Sequence, residues 1–149
     1  MTLDPQQIAE AAAAAMWRQD RACQELGVEL LRVGDGVAEL AMTVQERMVN
    51  GHNICHGGYL FTLADSAFAY ACNSRNQITV ASGARIDFLR PARLGDRLTA
   101  TAQRVHQGKR TGVYDATVRN QAGESVAEFR GNSAIIGGPV ADCADEGGS

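Results

Sequence analysis

The stretch that decides the fold is GYLFTLADSAFAYACNS, residues 58–74. Leu60, Phe61, Leu63, Ala64, Ala67, Phe68, Ala71 and Cys72 recur there at helical spacing. Only a narrow stripe is left over, Thr62, Asp65, Ser66, Ala69 and Asn73. A helix apolar around most of its circumference has to be covered on more than one side.

The flanks supply strands for that cover. Downstream run ITVASGARIDFLRPA (residues 78–92, closed by Pro91), DRLTATAQRVHQ (96–107), TGVYDATVRN (111–120) and ESVAEFRGNSAII (124–136). Gly108-Lys109-Arg110 and Gln121-Ala122-Gly123 have hairpin composition, so the second half reads as a four-strand meander. Upstream, GVELLRVGDGVAELAMTV (27–44) reads as two strands turned at Gly34-Asp35-Gly36, with Ala38, Leu40, Met42 and Val44 facing the core. The chain opens with a helix capped by Asp4, with Pro5 in its first turn and Gln7 completing a capping box. Gly27 ends the helical region, and Asp20 is placed to cap a second helix after a break near Gln19. The fold class is α+β: an antiparallel sheet curled around a long central helix, preceded by an N-terminal helix. Such a sheet leaves edges and one side of the helix open, which predicts self-association.

Composition narrows the function. The 149 residues carry 14 Lys plus Arg against 17 Asp plus Glu, a net charge of -3. That balance disfavours a nucleic-acid partner, which needs a surplus of cations. The hydrophobic fraction of 45% fits one globular domain, placed at residues 1–138, with the Gly-rich residues 139–149 as a flexible tail. The alanine-rich run Ala11 to Met16 is too short to span a bilayer, so no membrane role is expected. Cys23, Cys55, Cys72 and Cys143 form no CxxC pair and suggest no disulfide framework. With no signal peptide recognised, the expected location is a reduced cytoplasm.

Polar chemistry is densest just ahead of the apolar helix, in Asn50-Gly51-His52-Asn53-Ile54-Cys55-His56-Gly57-Gly58. A Gly-Gly pair at a helix start presents backbone N–H groups with no partner inside the helix, at the positive end of its dipole. That suits an anion, or an oxygen that becomes anionic during reaction; a glycine pair also simply permits a tight turn. Asp65 lies eight residues after Gly57, about 12 Å along the helix. It could act on the same atom as Gly57 only if a second copy supplied it; otherwise it is a solvated carboxylate on the polar stripe. His52, Cys55 and His56 raise a metal site, but Cys55 and His56 are neighbours and no fourth ligand stands out except His106. The expectation is no metal. A Cys55–His56 nucleophilic pair meets the same geometric objection. Cys23, Cys72, Phe88 and Tyr114 read as core or helix-packing residues. Arg85, Arg90, Arg93 and Arg97 cluster at one strand end, and Lys109 and Arg110 sit on a hairpin tip beside Thr111 and Gly112. They are surface charge or a grip on the phosphates of an acidic ligand.

NGHNICHGGYLFTLADSAFAYACNS (50–74), IDFLRPARLGD (86–96), HQGKRTGVYD (106–115) and FRGNSAIIGG (129–138) together resemble the hotdog-fold acyl-CoA thioesterases of the PaaI type, the phenylacetic acid degradation thioesterases. The resemblance covers residues 26–138. It implies a homodimer with a continuous sheet as the active unit, commonly paired into a homotetramer, and a small-molecule acyl-CoA substrate with no cofactor. It implies that the Gly57 N–H polarises the thioester carbonyl and that Asp65, facing the other subunit's Gly57, is general base or nucleophile. Asn50 and His56 match residues that orient substrate or water, and Ser82 matches a position lining the site. Arg90, Arg93, Lys109, Arg110, Thr111 and Gly112 fall in segments that hold the nucleotide part of coenzyme A. The expected reaction is hydrolysis of an aromatic acyl-CoA such as phenylacetyl-CoA or a ring-hydroxylated form. Alternatives are a thioesterase for medium- or long-chain fatty acyl-CoA, a non-hydrolytic acyl-CoA binding module, and an enoyl-thioester hydratase, which would pair an Asp and a His at a different spacing.

Overall fold

A computed structural model describes residues 2–142. Cys143 and the remainder of the expected tail lie outside the described residues. Helix α1 spans Pro5–Trp17, and its N-terminus closes as a capping box: the Asp4 carboxylate accepts from Gln7 N, and the Gln7 side chain accepts from Asp4 N. Asp20 ends the break and caps α2, Arg21–Glu25. Its second carboxylate oxygen accepts the Tyr70 hydroxyl at 3.0 Å, tying the corner to the central helix.

Strands β1 (Glu29–Gly34) and β2 (Val37–Thr43) form the expected hairpin. At its turn Gly36 has φ 74°, and the Arg104 guanidinium lies over it, 2.6 Å from where a Cβ would stand. Both the backbone and the space therefore require glycine there. The central helix α3 is Gly57–Cys72. After it come β3 (Thr79–Phe88), β4 (Arg97–Gln107), β5 (Thr111–Arg119) and β6 (Ser125–Ile135).

The strand order is β1-β2-β4-β5-β6-β3, antiparallel throughout. This corrects the four-strand meander. Only β4, β5 and β6 form one, whereas β3 pairs with β6 at the far edge and β4 pairs back onto β2. The physical reason is coverage. With β3 displaced, the curled sheet reaches around α3 from both sides.

The core lies between α3 and the inner face of the sheet. Ala38, Leu40 and Met42 of β2, Leu98, Ala100 and Ala102 of β4, and Ala116 and Val118 of β5 are sealed from solvent. The alanines let the strands approach the helix closely, and the larger side chains fill the gaps. Phe68 of α3 meets Tyr114 and Phe129 at 5.8 and 5.7 Å between ring centroids. Each such buried side chain contributes roughly 2 kcal/mol. Tyr114, Cys23 and Cys72 are buried as expected, but Phe88 is 54% exposed and is not a core residue.

The C-terminal end of α3 is closed by buried polar bonds. Asn73 Nδ2 donates to Ala69 O and Thr79 O, and its Oδ1 accepts from Thr79 N. Ser74 Oγ donates to Ala71 O and accepts from Gly36 N. Beyond β6, Asn76 holds Ala141 by both its backbone N–H and carbonyl.

Candidate active site

The loop before α3 is fixed by backbone bonds to its neighbours. His56 N donates to Met48 O, Cys55 N to Ala92 O, and Leu94 N to Asn53 O. Asn50 organises the loop interior, its Oδ1 accepting from His52 N and Ile54 N. The chain thus enters the helix through an extended His56 (φ -61°, ψ 139°) whose imidazole does not cap it. Among the described residues the Gly57 and Gly58 N–H groups have no hydrogen-bond partner. They are the orphan donors of the helix start, at the positive end of sixteen aligned peptides.

Beside them opens a cleft of about 420 Å3 lined by Ile54, Cys55, Leu60, Phe88 and Leu89, with Arg90 and Pro91 at its end. A larger groove, about 690 Å3, lies between α1 and β1 at the opposite sheet edge. It offers no free helix N-terminus.

Asp65 sits two turns along α3, half-buried, and makes no hydrogen bond or ion pair among the described residues. Burial raises its carboxyl above the usual carboxylate range. Next to it Ser66 Oγ donates to Thr62 O and accepts from Cys23 Sγ. The thiols are not poised as nucleophiles: burial pushes Cys23 and Cys55 up to about 11 and Cys72 to about 12. Cys55 is buried while His52 and His56 are exposed, and among the described residues no group of three or more His, Cys, Asp or Glu could hold a metal ion.

The predicted residues fall into two groups within one chain. Asn50, His56, Gly57, Arg90 and Arg93 gather at the N-terminal end of α3. Ser82 and residues 109–112 lie at the other end, where Thr111 pairs with Ala134 and Ala134 with Val80. Ser82 occupies the bulge between Ala81 and Gly83, its Oγ donating to Asn132 O. Bulges of this kind re-aim side chains beside functional sites. Arg90 is ion-paired with Glu124, Arg97 with Glu29 and Arg85 with Asp87. Arg93, Lys109 and Arg110 form no ion pair among the described residues. Sequence reasoning took Phe88 for a core residue and so missed it beside the site. Its ring tip lies against Gly57, with Cζ 2.6 Å from where a Cβ would stand.

Comparison with known proteins resolves the assignment. Residues 52–127 match the thioesterase superfamily model. The chain belongs to the thioesterase superfamily. Like other members it is a thioester hydrolase on a hotdog fold, as the sequence resemblance implied. It is 54% identical to the acyl-coenzyme A thioesterase PaaI of Escherichia coli over 128 residues, 86% of this chain and 91% of that one. The solved structure of the E. coli PaaI protein from the phenylacetic acid degradation operon superposes with a TM-score of 0.90 at 51% identity, covering 91% of this chain and 99% of that one. A thioesterase-like protein of Streptococcus pneumoniae, solved with coenzyme A, matches at 30% identity and a TM-score of 0.72, covering 75% and 88%.

Proposed function

We propose that this thioesterase hydrolyses acyl-CoA, with phenylacetyl-CoA or a ring-hydroxylated analogue as its substrate, in a site shared by two subunits. The observation that carries the reading is the pair of free N–H donors at Gly57 and Gly58 together with an unpartnered, half-buried Asp65 on the same helix. Eight residues of rigid helix keep them about 12 Å apart, so a second chain must supply the missing half. Strand β3 is a free sheet edge carrying exposed Val80 and Phe88, with exposed Leu89 just beyond it. Two-fold antiparallel pairing of this edge with its copy would satisfy its unpaired backbone groups and leave the Phe88 ring on the cleft side. It would also bring the Phe88 end of one chain to the Val80 end of the other. The partner's Asp65 then approaches Gly57, and the partner's Ser82 and residues 109–112 join Arg90 and Arg93 around the coenzyme.

In this site the thioester carbonyl oxygen accepts from the Gly57 N–H, which stabilises the negative charge that develops there. The ionised carboxylate of Asp65 removes a proton from attacking water, or attacks the carbonyl itself. With water as nucleophile, the C–O bond forms, the tetrahedral oxyanion collapses, C–S breaks and the thiolate leaves with the free acid formed directly; with Asp65 as nucleophile, the thiolate leaves from a mixed anhydride on Asp65, which water then hydrolyses to release the acid and restore the carboxylate. A thiolate is a good leaving group, so the residues suffice without metal or cofactor. Asn50 holds the loop and His56 orients substrate or water at the cleft mouth. The three described cysteines are free thiols, which supports a reduced cytoplasmic setting, and pairing of two dimers would give a homotetramer. The experiment is thiol release from a panel of acyl-CoAs. Turnover that is fastest with aryl-acetyl thioesters supports the reading. Binding without turnover of any thioester would defeat it.

A further inference from the structure

We infer that Phe88 is a specificity-determining residue: its ring, seated against Gly57, is the wall that sets the bulk of acyl group admitted beside the free N–H donors. The inference rests on the thioesterase reading above and assigns the cleft at Gly57 to the hydrocarbon part of the acyl group.

Three observations meet here. First, Gly57 is not in the left-handed region, so its backbone does not require glycine. The ring does: a Cβ would stand 2.6, 3.0 and 3.1 Å from Phe88 Cζ, Cε1 and Cε2. Second, Phe88 is on the inner face of β3. It pairs with the buried Ala127, just as Ile86 pairs with Phe129. It nevertheless stands outside the aromatic cluster of Phe61, Phe68, Tyr114 and Phe129, with over half its surface open. An inward-facing aromatic that the core does not use is available to a ligand. Third, the cleft it walls is mainly apolar, with Ile54, Leu60, Leu89 and Pro91 beside the ring and Arg90, ion-paired with Glu124, as its one charged lining residue. The apolar part of that lining suits a hydrocarbon group. The backbone beneath is independently held, because Leu89 N and Arg90 N both donate to Val126 O. Truncating the ring therefore enlarges the cleft while the edge strand keeps its bonds.

The test is kcat/KM of wild type, Phe88→Ala and Phe88→Leu for acetyl-, phenylacetyl- and decanoyl-CoA, with oligomer size measured in parallel. In Phe88→Ala the phenylacetyl-to-decanoyl ratio is expected to fall about tenfold or more, the scale set by pocket volume, with Phe88→Leu between it and wild type. A double-mutant cycle adds a readout independent of substrate choice. Gly57→Ala keeps the N–H but its methyl meets the ring, and the resulting displacement of the donor should cost about 100-fold in kcat with Phe88 present and less than about tenfold in the Phe88→Ala background, where the methyl has room. Equal losses on all three thioesters, or the same Gly57→Ala cost in both backgrounds, would overturn the role of Phe88. Those outcomes would leave the thioesterase reading standing. A wild-type protein inactive on every thioester would instead remove that reading, and this inference with it.

Discussion

The two ends of the central helix are built to opposite plans. At the C-terminal end Asn73 and Ser74 use their side chains to satisfy backbone groups of α3, β3 and the β1–β2 turn, all out of water. At the N-terminal end the capping position holds a histidine that caps nothing, and two N–H groups have no hydrogen-bond partner among the described residues. Among the described residues, the buried side-chain N and O atoms all have hydrogen-bond partners except Ser133 Oγ. The open donors at Gly57 and Gly58 contrast with the satisfied groups at the other end of the same helix. On the proposed reading, stability resides at one end of α3 and chemistry at the other.

The largest expected effect falls on the carboxylate between the two ends. Asp65→Ala should lower kcat/KM about 1,000-fold, within the range for loss of a general base, while gel filtration shows the wild-type oligomer. Unimpaired hydrolysis would mean that the open end works without its carboxylate. The same residue sets the acid limb of the pH–rate profile. Burial raises the Asp65 carboxyl above the usual carboxylate range, and only the ionised form is a base. Activity should thus be lost on acidification at a higher pH than an ordinary carboxylate would give. The sign for stability is opposite. A raised folded-state pKa means that ionised Asp65 opposes folding above that pKa and stops doing so below 3.8. Asp65→Asn should melt higher than wild type at pH 7, with the gain vanishing in acid.

At the closed end, Asn73→Ala removes three hydrogen bonds and strands the buried Thr79 N–H. The expected cost is about 2–3 kcal/mol, read as a lower denaturant midpoint at unchanged slope, with little change in KM. The smallest effect is the sharpest test of the contrast. His56→Ser installs the cap that the open end lacks, accepting from the Gly58 or Tyr59 N–H. It should add about 0.5–1 kcal/mol of stability and lower kcat. A variant both more stable and fully active would show that the open donors are incidental.

Much of this architecture was legible in local sequence. Asp4, Pro5 and Gln7 spell out their helix start, Asp20 its cap, and the 3.6-residue repeat from Leu60 to Cys72 its buried helix, because each depends on neighbours within a turn or two. The position of β3 was not legible. Which strand lies beside β6 is fixed by pairing across some 50 residues, and alternation along a strand says which face is apolar but not which edge is adjacent. Phe88 illustrates the same gap at the scale of the site. Its alternation with Ile86 correctly gives the inner face, yet only the sheet's curl decides that this position overhangs Gly57 rather than joining the core. That Asp65 lies two turns beyond the glycine turn was legible because spacing along one helix is local information, whereas the roles proposed for them came from the resemblance alone.

That spacing has a genetic consequence. If each working centre draws its donor from one chain and its carboxylate from the next, lesions in the two are not equivalent when mixed. A chain ruined at Gly57 and a chain ruined at Asp65 would assemble hybrids in which one centre inherits both faults and the other inherits none. Two silent alleles could then restore function to each other.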